Sequence, residues 1–187
     1  MKKVILGGLL LLLSTGHSMA AKYKIDSGHT YPNFTISHLG FSTMWGHFAK
    51  TTGTLEYDQA TGKGVVDITI DASSIYTGHK KRDDHLRSPD FFNVVEFPEI
   101  TFKSTSANLS GDSGSVEGDL TIMGVTKNVT LNVSKIRCGK HPFNPKLKEV
   151  CGFDAKTKIK RTDFGMKYGM PAIGDEVSIF LEVEALR

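Results

Sequence analysis

The chain has 187 residues, 39% of them hydrophobic, with 23 Lys and Arg against 20 Asp and Glu. That length suits one domain with a sizeable core, and charges nearly balanced and spread along the chain argue against the clustered basic face of a nucleic-acid binder. Two of the basic residues, Lys2 and Lys3, fall in a predicted export signal, so the mature chain carries 21 basic against 20 acidic side chains.

Residues 1–20 form that signal: a positive start at Lys2 and Lys3, an apolar run from Val4 to Leu13, and small residues around Met19 at Ser18 and Ala20. An apolar run of ten residues is too short to cross a bilayer, which needs roughly 20. Cleavage after Ala20 leaves residues 21–187 as one domain, with no later segment resembling a transmembrane helix.

Alternation with a period of two then dominates, which predicts antiparallel sheet with one buried face. Phe34 and Ile36 alternate with Asn33, Thr35 and Ser37, and His38 falls on their face. Leu55 and Tyr57 mark the next strand, and Val66, Ile68 and Ile70 the one after. Isolated glycines at Gly40, Gly46 and Gly53 predict bends at barrel corners. Between the strands predicted at 65–71 and 97–105 lies a connection far longer than a hairpin needs. It is predicted to be a helical crossover, with a short helix over 83–87 and a second start at Ser88-Pro89, an N-cap before a residue suited to the first helical turn. Its charges should face the rim of a barrel, and Phe91 and Phe92 its apolar inside.

Further on, Ile100 and Phe102, Leu120 and Ile122, and Val129, Leu131 and Val133 alternate with polar residues. Hairpin turns are predicted at 61–64, 110–115 and 124–127. Gly111-Asp112-Ser113-Gly114 copies part of a serine-protease motif but reads as turn chemistry. Phe153, Ala155, Thr157 and Ile159 share one side of a strand, as do Val177, Ile179, Leu181 and Val183 of the last. The run from Lys156 to Arg161 reads as the solvent face of a strand. Phe180, of opposite parity to Ile179 and Leu181, is expected as an exposed aromatic that hints at a homodimer face. About eight strands result, enough for a barrel holding either packed side chains or one ligand.

Cys138 and Cys151 form an even pair in an exported chain, which favours a disulfide. With His141 they also offer three zinc ligands, one fewer than structural zinc takes. No histidines pair at a spacing that builds a metal site, so no metal is expected.

The stretch 70–78, then Arg82-Asp83-Asp84-His85-Leu86-Arg87-Ser88-Pro89-Asp90-Phe91-Phe92, then Phe97-Pro98 with Thr101-Phe102-Lys103-Ser104, resembles the YceI-like family of periplasmic lipid-binding proteins. The likeness extends upstream through Phe34, Ile36, His38-Leu39-Gly40, Ser42, Gly46 and Phe48, and downstream through 118–122, 124–127 and 163–166. Tyr76 departs from it, standing where the family often has Asp. The resemblance implies a lipocalin-like antiparallel β-barrel, a periplasmic location, and a polyisoprenoid, isoprenoid quinone or similar amphiphilic lipid as ligand, stored or transported. It implies no catalysis, no nucleic-acid partner and no cofactor besides that lipid.

Shared parity within strands assigns Phe34, Ile36, Ile68, Ile70, Ile100, Phe102, Leu120, Ile122, Leu131, Val133, Ile179 and Leu181 to one apolar tunnel, joined by His38, Phe91 and Phe92. His38 is either a hydrogen-bonded core histidine or a polar contact to ligand. Arg82, His85 and Arg87 are head-group candidates, although interleaved opposite charges on a short helix also serve as structural glue. The alternative is an enzyme acting on a lipid or small apolar substrate through the Arg82–His85 cluster, with Asp84 and His85 as acid and base.

Overall fold

The computed structural model describes residues 20–187; the predicted signal lies, but for its final Ala20, outside the described residues. In chain order the elements are β1 (Ala21–Ile25), β2 (Tyr31–His38), β3 (Ser42–Phe48), β4 (Thr51–Asp58), β5 (Lys63–Asp71), β6 (Ile75–Tyr76), α1 (Lys80–Leu86), β7 (Glu99–Ser110), β8 (Ser113–Ile122), β9 (Val125–Gly139), β10 (Val150–Lys160) and β11 (Ile173–Leu186). Every pairing is antiparallel, and a β1–β11 contact closes the sheet.

Eleven strand segments make a barrel with eight walls because the first three walls are kinked. β11 pairs with β2 from Ile173 to Glu182 and with β1 at Ala185 and Leu186, so β1 and β2 follow one another along the same neighbour. β3 and β4 are likewise one bent wall, as are β5 and β6. The kinks are pinned by hydrogen bonds. Gly28 N–H donates to Asp26 Oδ1 at 2.9 Å, Lys50 N–H to Ser74 Oγ at 3.1 Å, and Ser73 N–H to Asp71 Oδ1 at 2.9 Å. The last of these caps a single 3-10 turn, Ala72–Ser74, between β5 and β6.

The ladders set the predicted inner residues directly opposite one another: Ile68 faces Phe102, Ile70 faces Ile100, Phe102 faces Leu120, and Ile179 faces Phe34. Two of the rings lie across glycines. A Cβ at Gly46 would stand 2.4 Å from Phe34 Cζ, and one at Gly118 2.4 Å from Phe102 Cζ, so each aromatic needs the bare backbone beside it. The β8–β9 hairpin turns on Met123 (φ 50°) and Gly124 (φ 72°), a two-residue loop of the type that demands positive φ twice. Val125 to Lys127, predicted as part of that turn, already belong to β9.

The crossover is helical, but its start lies elsewhere than predicted. α1 begins after His79, whose Nδ1 accepts the Arg82 N–H at 3.2 Å. Ser88-Pro89 opens turns instead, because the Ser88 carbonyl accepts from both Phe91 and Asn93 and the chain then reverses at Asn93 (φ 45°). Phe97-Pro98 belongs to the crossover rather than to β7, and Pro98 O accepts the Ala72 N–H at 2.9 Å.

One end of the barrel is built from the β2–β3 turn, the crossover, the β8–β9 turn and the β10–β11 connection; it is called here the helical end. At the opposite end Cys138 and Cys151 stand directly across the β9–β10 ladder and are disulfide-bonded. Both sulfurs of the alternative zinc set are taken up in that bond, and His141 Nδ1 accepts the N–H groups of Phe143 and Asn144. Part of the buried core closes this end, around Tyr23, Ile25, Tyr57, Ile136, Cys151 and Ala185. Glu149 ties it shut by accepting from Tyr23 Oη at 2.6 Å and Gln59 Nε2 at 3.1 Å, with Arg187 Nη2 3.2 Å away.

Candidate functional site

An apolar cavity of about 530 Å³ runs down the barrel, a size typical of small-molecule sites. Its wall contains every strand residue assigned to the tunnel: Phe34, Ile36, Ile68, Ile70, Ile100, Phe102, Leu120, Ile122, Leu131, Val133, Ile179 and Leu181. His38, Phe91 and Phe92 line it as well. A barrel filled by its own side chains would bury all of these, yet Phe34, Ile36, Ile68, Leu131, Ile179 and Leu181 are only half-buried. The surface they keep faces the cavity.

The crossover forms a lid at the helical end. Phe92 packs edge-on to Phe48, centroids 5.4 Å apart, and Phe48 meets Phe34 at 5.9 Å. Phe91, His85 and Tyr168 make a triangle of ring contacts at 5.0 to 5.3 Å. His85, Tyr168 and Lys81 line the cavity and are exposed, which places the mouth here.

The charged residues of the crossover divide into two groups. Arg87 does not reach the cavity. Its Nε and Nη2 donate to Ser73 O (2.7 Å) and Ile75 O (2.9 Å), and Nη1 meets Asp84, so it stitches α1 to the kinked wall. Arg82 lines the cavity while donating to Thr77 Oγ1 and Thr77 O, both at 2.7 Å, and buried Asp83 accepts from the Thr77 N–H and hydroxyl. The acid and base of the enzymatic alternative are not joined. Asp84 lies 2.7 Å from Lys80, whose ammonium, with Arg87, holds the carboxyl below its ordinary range, whereas His85 Nε2 meets Asp90 at 2.8 Å.

Some lining groups were not anticipated. Arg161 is 3% exposed and borders the cavity, its guanidinium donating to Gly174 O (2.8 Å), Met166 O (3.0 Å) and Ile173 O (3.1 Å). Burial lowers its pKa, and nearby Asp175 opposes that shift. The run it ends was read as solvent-facing, which holds for Lys156, Lys158 and Lys160. Parity was the neglected signal, because Arg161 continues the inner series Thr157, Ile159. Thr51 also lines the wall, and its Oγ1 is the one buried side-chain polar atom without a partner among the described residues. The His38 ring and the Tyr168 hydroxyl, also on the wall, have no hydrogen-bond partner among those residues.

Outside the cavity, Asp26, His29 and Glu184 bring potential metal-ligand atoms within 4.8 Å, the one such group among the described residues. The 2.8 Å hydrogen bond between Asp26 and His29 lowers the first and raises the second. On the outer wall Phe180 is exposed, as expected, and stacks on Trp45 with centroids 5.9 Å apart.

The family profile described as a YceI-like domain matches residues 23–185. Protein YceI of Escherichia coli O157:H7 is 41% identical over 192 aligned positions, covering 100% of this chain and 99% of that protein. The chain belongs to the YceI-like family. Among solved structures, BcnA of Burkholderia cenocepacia is similar with a TM-score of 0.75 and 26% identity, over 86% of this chain and 99% of that one. A polyisoprenoid binding domain from Saccharophagus degradans shares the fold, with a TM-score of 0.64 and 17% identity over 90% of this chain and 98% of that one. No helix among the described residues is long and apolar enough to cross a membrane.

Proposed function

We propose that this YceI-like protein is an exported, periplasmic binder of a long-chain amphiphilic lipid, a polyisoprenoid or isoprenoid quinone, which it holds for storage or transport without chemical change. The observation that carries this reading is the apolar cavity along the barrel, toward which Phe34, Ile36, Ile68, Leu131, Ile179 and Leu181 keep uncovered surface. Each buried CH₂ contributes about 0.8 kcal/mol, so a few isoprene units suffice for tight binding. The polar groups sit near the lidded end: Arg82, His85, Lys81 and Tyr168 at the mouth, with His38 and Thr51 on the wall. A head group lodged there can use the partnerless His38, Thr51 and Tyr168 atoms, while the tail fills the apolar remainder. That a barrel of this fold is named for polyisoprenoid binding supports the choice of ligand class.

Leu131 faces the cavity and Thr130 the solvent. Leu131→Lys is expected to abolish binding of a fluorescent isoprenoid analogue, since an unpaired charge in apolar surroundings costs several kcal/mol. Thr130→Lys, set across the ladder from Glu117, is expected to bind normally. A folded Leu131→Lys protein with wild-type affinity would sink the proposal. Organic extraction of purified protein and mass spectrometry then identifies the natural lipid.

A further inference from the structure

The two ends of the barrel differ in what they show to water. Among the described residues, the connections at the helical end expose five large apolar side chains: Leu39, Phe41, Val95, Tyr168 and Met170. The connections at the opposite end expose only Phe143. The difference is not a by-product of crowding, since Phe41 is 90% and Val95 95% exposed. Phe41 sits on the β2–β3 turn, which lies against the β10–β11 connection through the Leu39 N–H donating to Ala172 O at 2.8 Å. That connection carries Tyr168 and Met170, and Tyr168 packs on His85 at the mouth. Leu39, Phe41, Tyr168 and Met170 are therefore continuous with the entrance of the cavity, and Val95 stands on the crossover that lids it.

Local backbone chemistry makes the rim more telling. Leu39 has φ 54°, a conformation that suits Gly or Asn, and its side chain is half in solvent. A half-exposed leucine gains little from burial to offset a backbone that it disfavours, so folding alone gives no reason for Leu rather than Gly or Asn at this position. Beside the rim, Lys81 and Lys167 make no ion pair among the described residues, so their charges are available to an anionic surface.

Resting on the lipid-binding reading above, we infer that the helical end docks on the surface of an anionic lipid bilayer. Phe41, Leu39, Met170 and Val95 dip into the interface, Lys81 and Lys167 meet the head groups, and the mouth opens toward the membrane. Exposed apolar patches of this kind mark interaction sites, and shallow apolar insertion with flanking lysines is how proteins lie on bilayers. A lipid tail then passes between bilayer and cavity without crossing water.

The test is co-sedimentation of the protein with vesicles of phosphatidylethanolamine and phosphatidylglycerol. Alongside it runs the uptake rate of a fluorescent isoprenoid analogue embedded in those vesicles. Leu39→Asn, which suits the left-handed backbone there, is combined with Phe41→Asp; Val95→Asp is a second, separate rim variant, and Phe143→Asp is the control at the far end. Either rim variant is expected to lower the partition coefficient and the uptake rate by at least about tenfold, the loss from withdrawing one large apolar side chain from the interface. The control is expected to match wild type, and all variants to bind the analogue normally in solution. Wild type that ignores the vesicles, or a loss shared equally by Phe143→Asp, overturns the docking. So does a rim substitution that acts only by splitting a dimer seen in light scattering. If docking persists while wild type fails to bind the analogue in solution, the lipid-binding reading falls and the bilayer contact stands.

Discussion

Tyr23 keeps its ring in the core and its hydroxyl on Glu149, and burial together with that hydrogen bond pushes its pKa up to about 12. Because the folded value lies above the unfolded one near 10, the associated stability is complete below pH 10 and is lost as pH climbs toward 12. The full loss amounts to about 2 to 3 kcal/mol. Spectrophotometric titration is expected to show Tyr23 ionising late among the five tyrosines, and Tyr23→Phe to remove that late step. The same variant should cost about 1 kcal/mol at neutral pH, the net worth of one hydrogen bond. At this scale the sequence was legible where a side chain's role follows from parity and illegible where it follows from tertiary partners. Leu131 and Ile68 could be placed inside from alternation alone. The partners of Arg161, three carbonyls on the β10–β11 connection and at the start of β11, could not be, because no local pattern records which loop folds over a strand end.

The kinked walls teach a similar lesson at the scale of elements. Alternation identified one half of each kinked wall, β2, β4 and β5, and left β1, β3 and β6 unread, because the breaks depend on contacts such as Lys50 with Ser74, 24 residues apart, which no short window of sequence contains. The crossover was recognised by its length and its start misplaced, since Ser88-Pro89 carries a helix-start signature that the turn at Asn93 overrides. The Cys138–Cys151 bond, by contrast, followed from an even count in a chain predicted to be exported. It closes a separation of 13 residues, worth about 3 kcal/mol in chain entropy. Replacing both cysteines by alanine is therefore expected to lower the melting temperature by about 6 to 12 °C. A thermal melt in reductant should shift the wild type by the same amount and leave the double variant unmoved.

For the whole molecule, the depth of the cavity sets which ligands fit. Ala107 lines its lower part, opposite Val116 and near the disulfide-bonded end. Ala107→Phe should fill that space without disturbing the mouth. Because every excluded CH₂ forfeits about 0.8 kcal/mol, shortening the bound tail by one five-carbon unit is expected to weaken long isoprenoids by more than tenfold. Short analogues that never reach Ala107 should bind as before. Direct titration with a series of chain lengths checks this. Equal weakening of all lengths would mean that the variant acts on folding, and no change would mean that the tail stops short of β7's end.

The core that gathers beyond Tyr57, sealed by the Glu149 network, gives the barrel a floor. Its kinetic consequence concerns replacement. A blind channel with one door admits no second tail while the first is in place, so one lipid cannot push another through. Exchange must proceed by departure first and arrival second. The rate at which a labelled lipid leaves should then be the same at any concentration of unlabelled competitor, fixed by the off-rate alone. An open-ended tube would instead show exchange that accelerates with competitor. Traffic through this protein is thus governed at the lid over the entrance, where Phe91, His85 and Tyr168 meet.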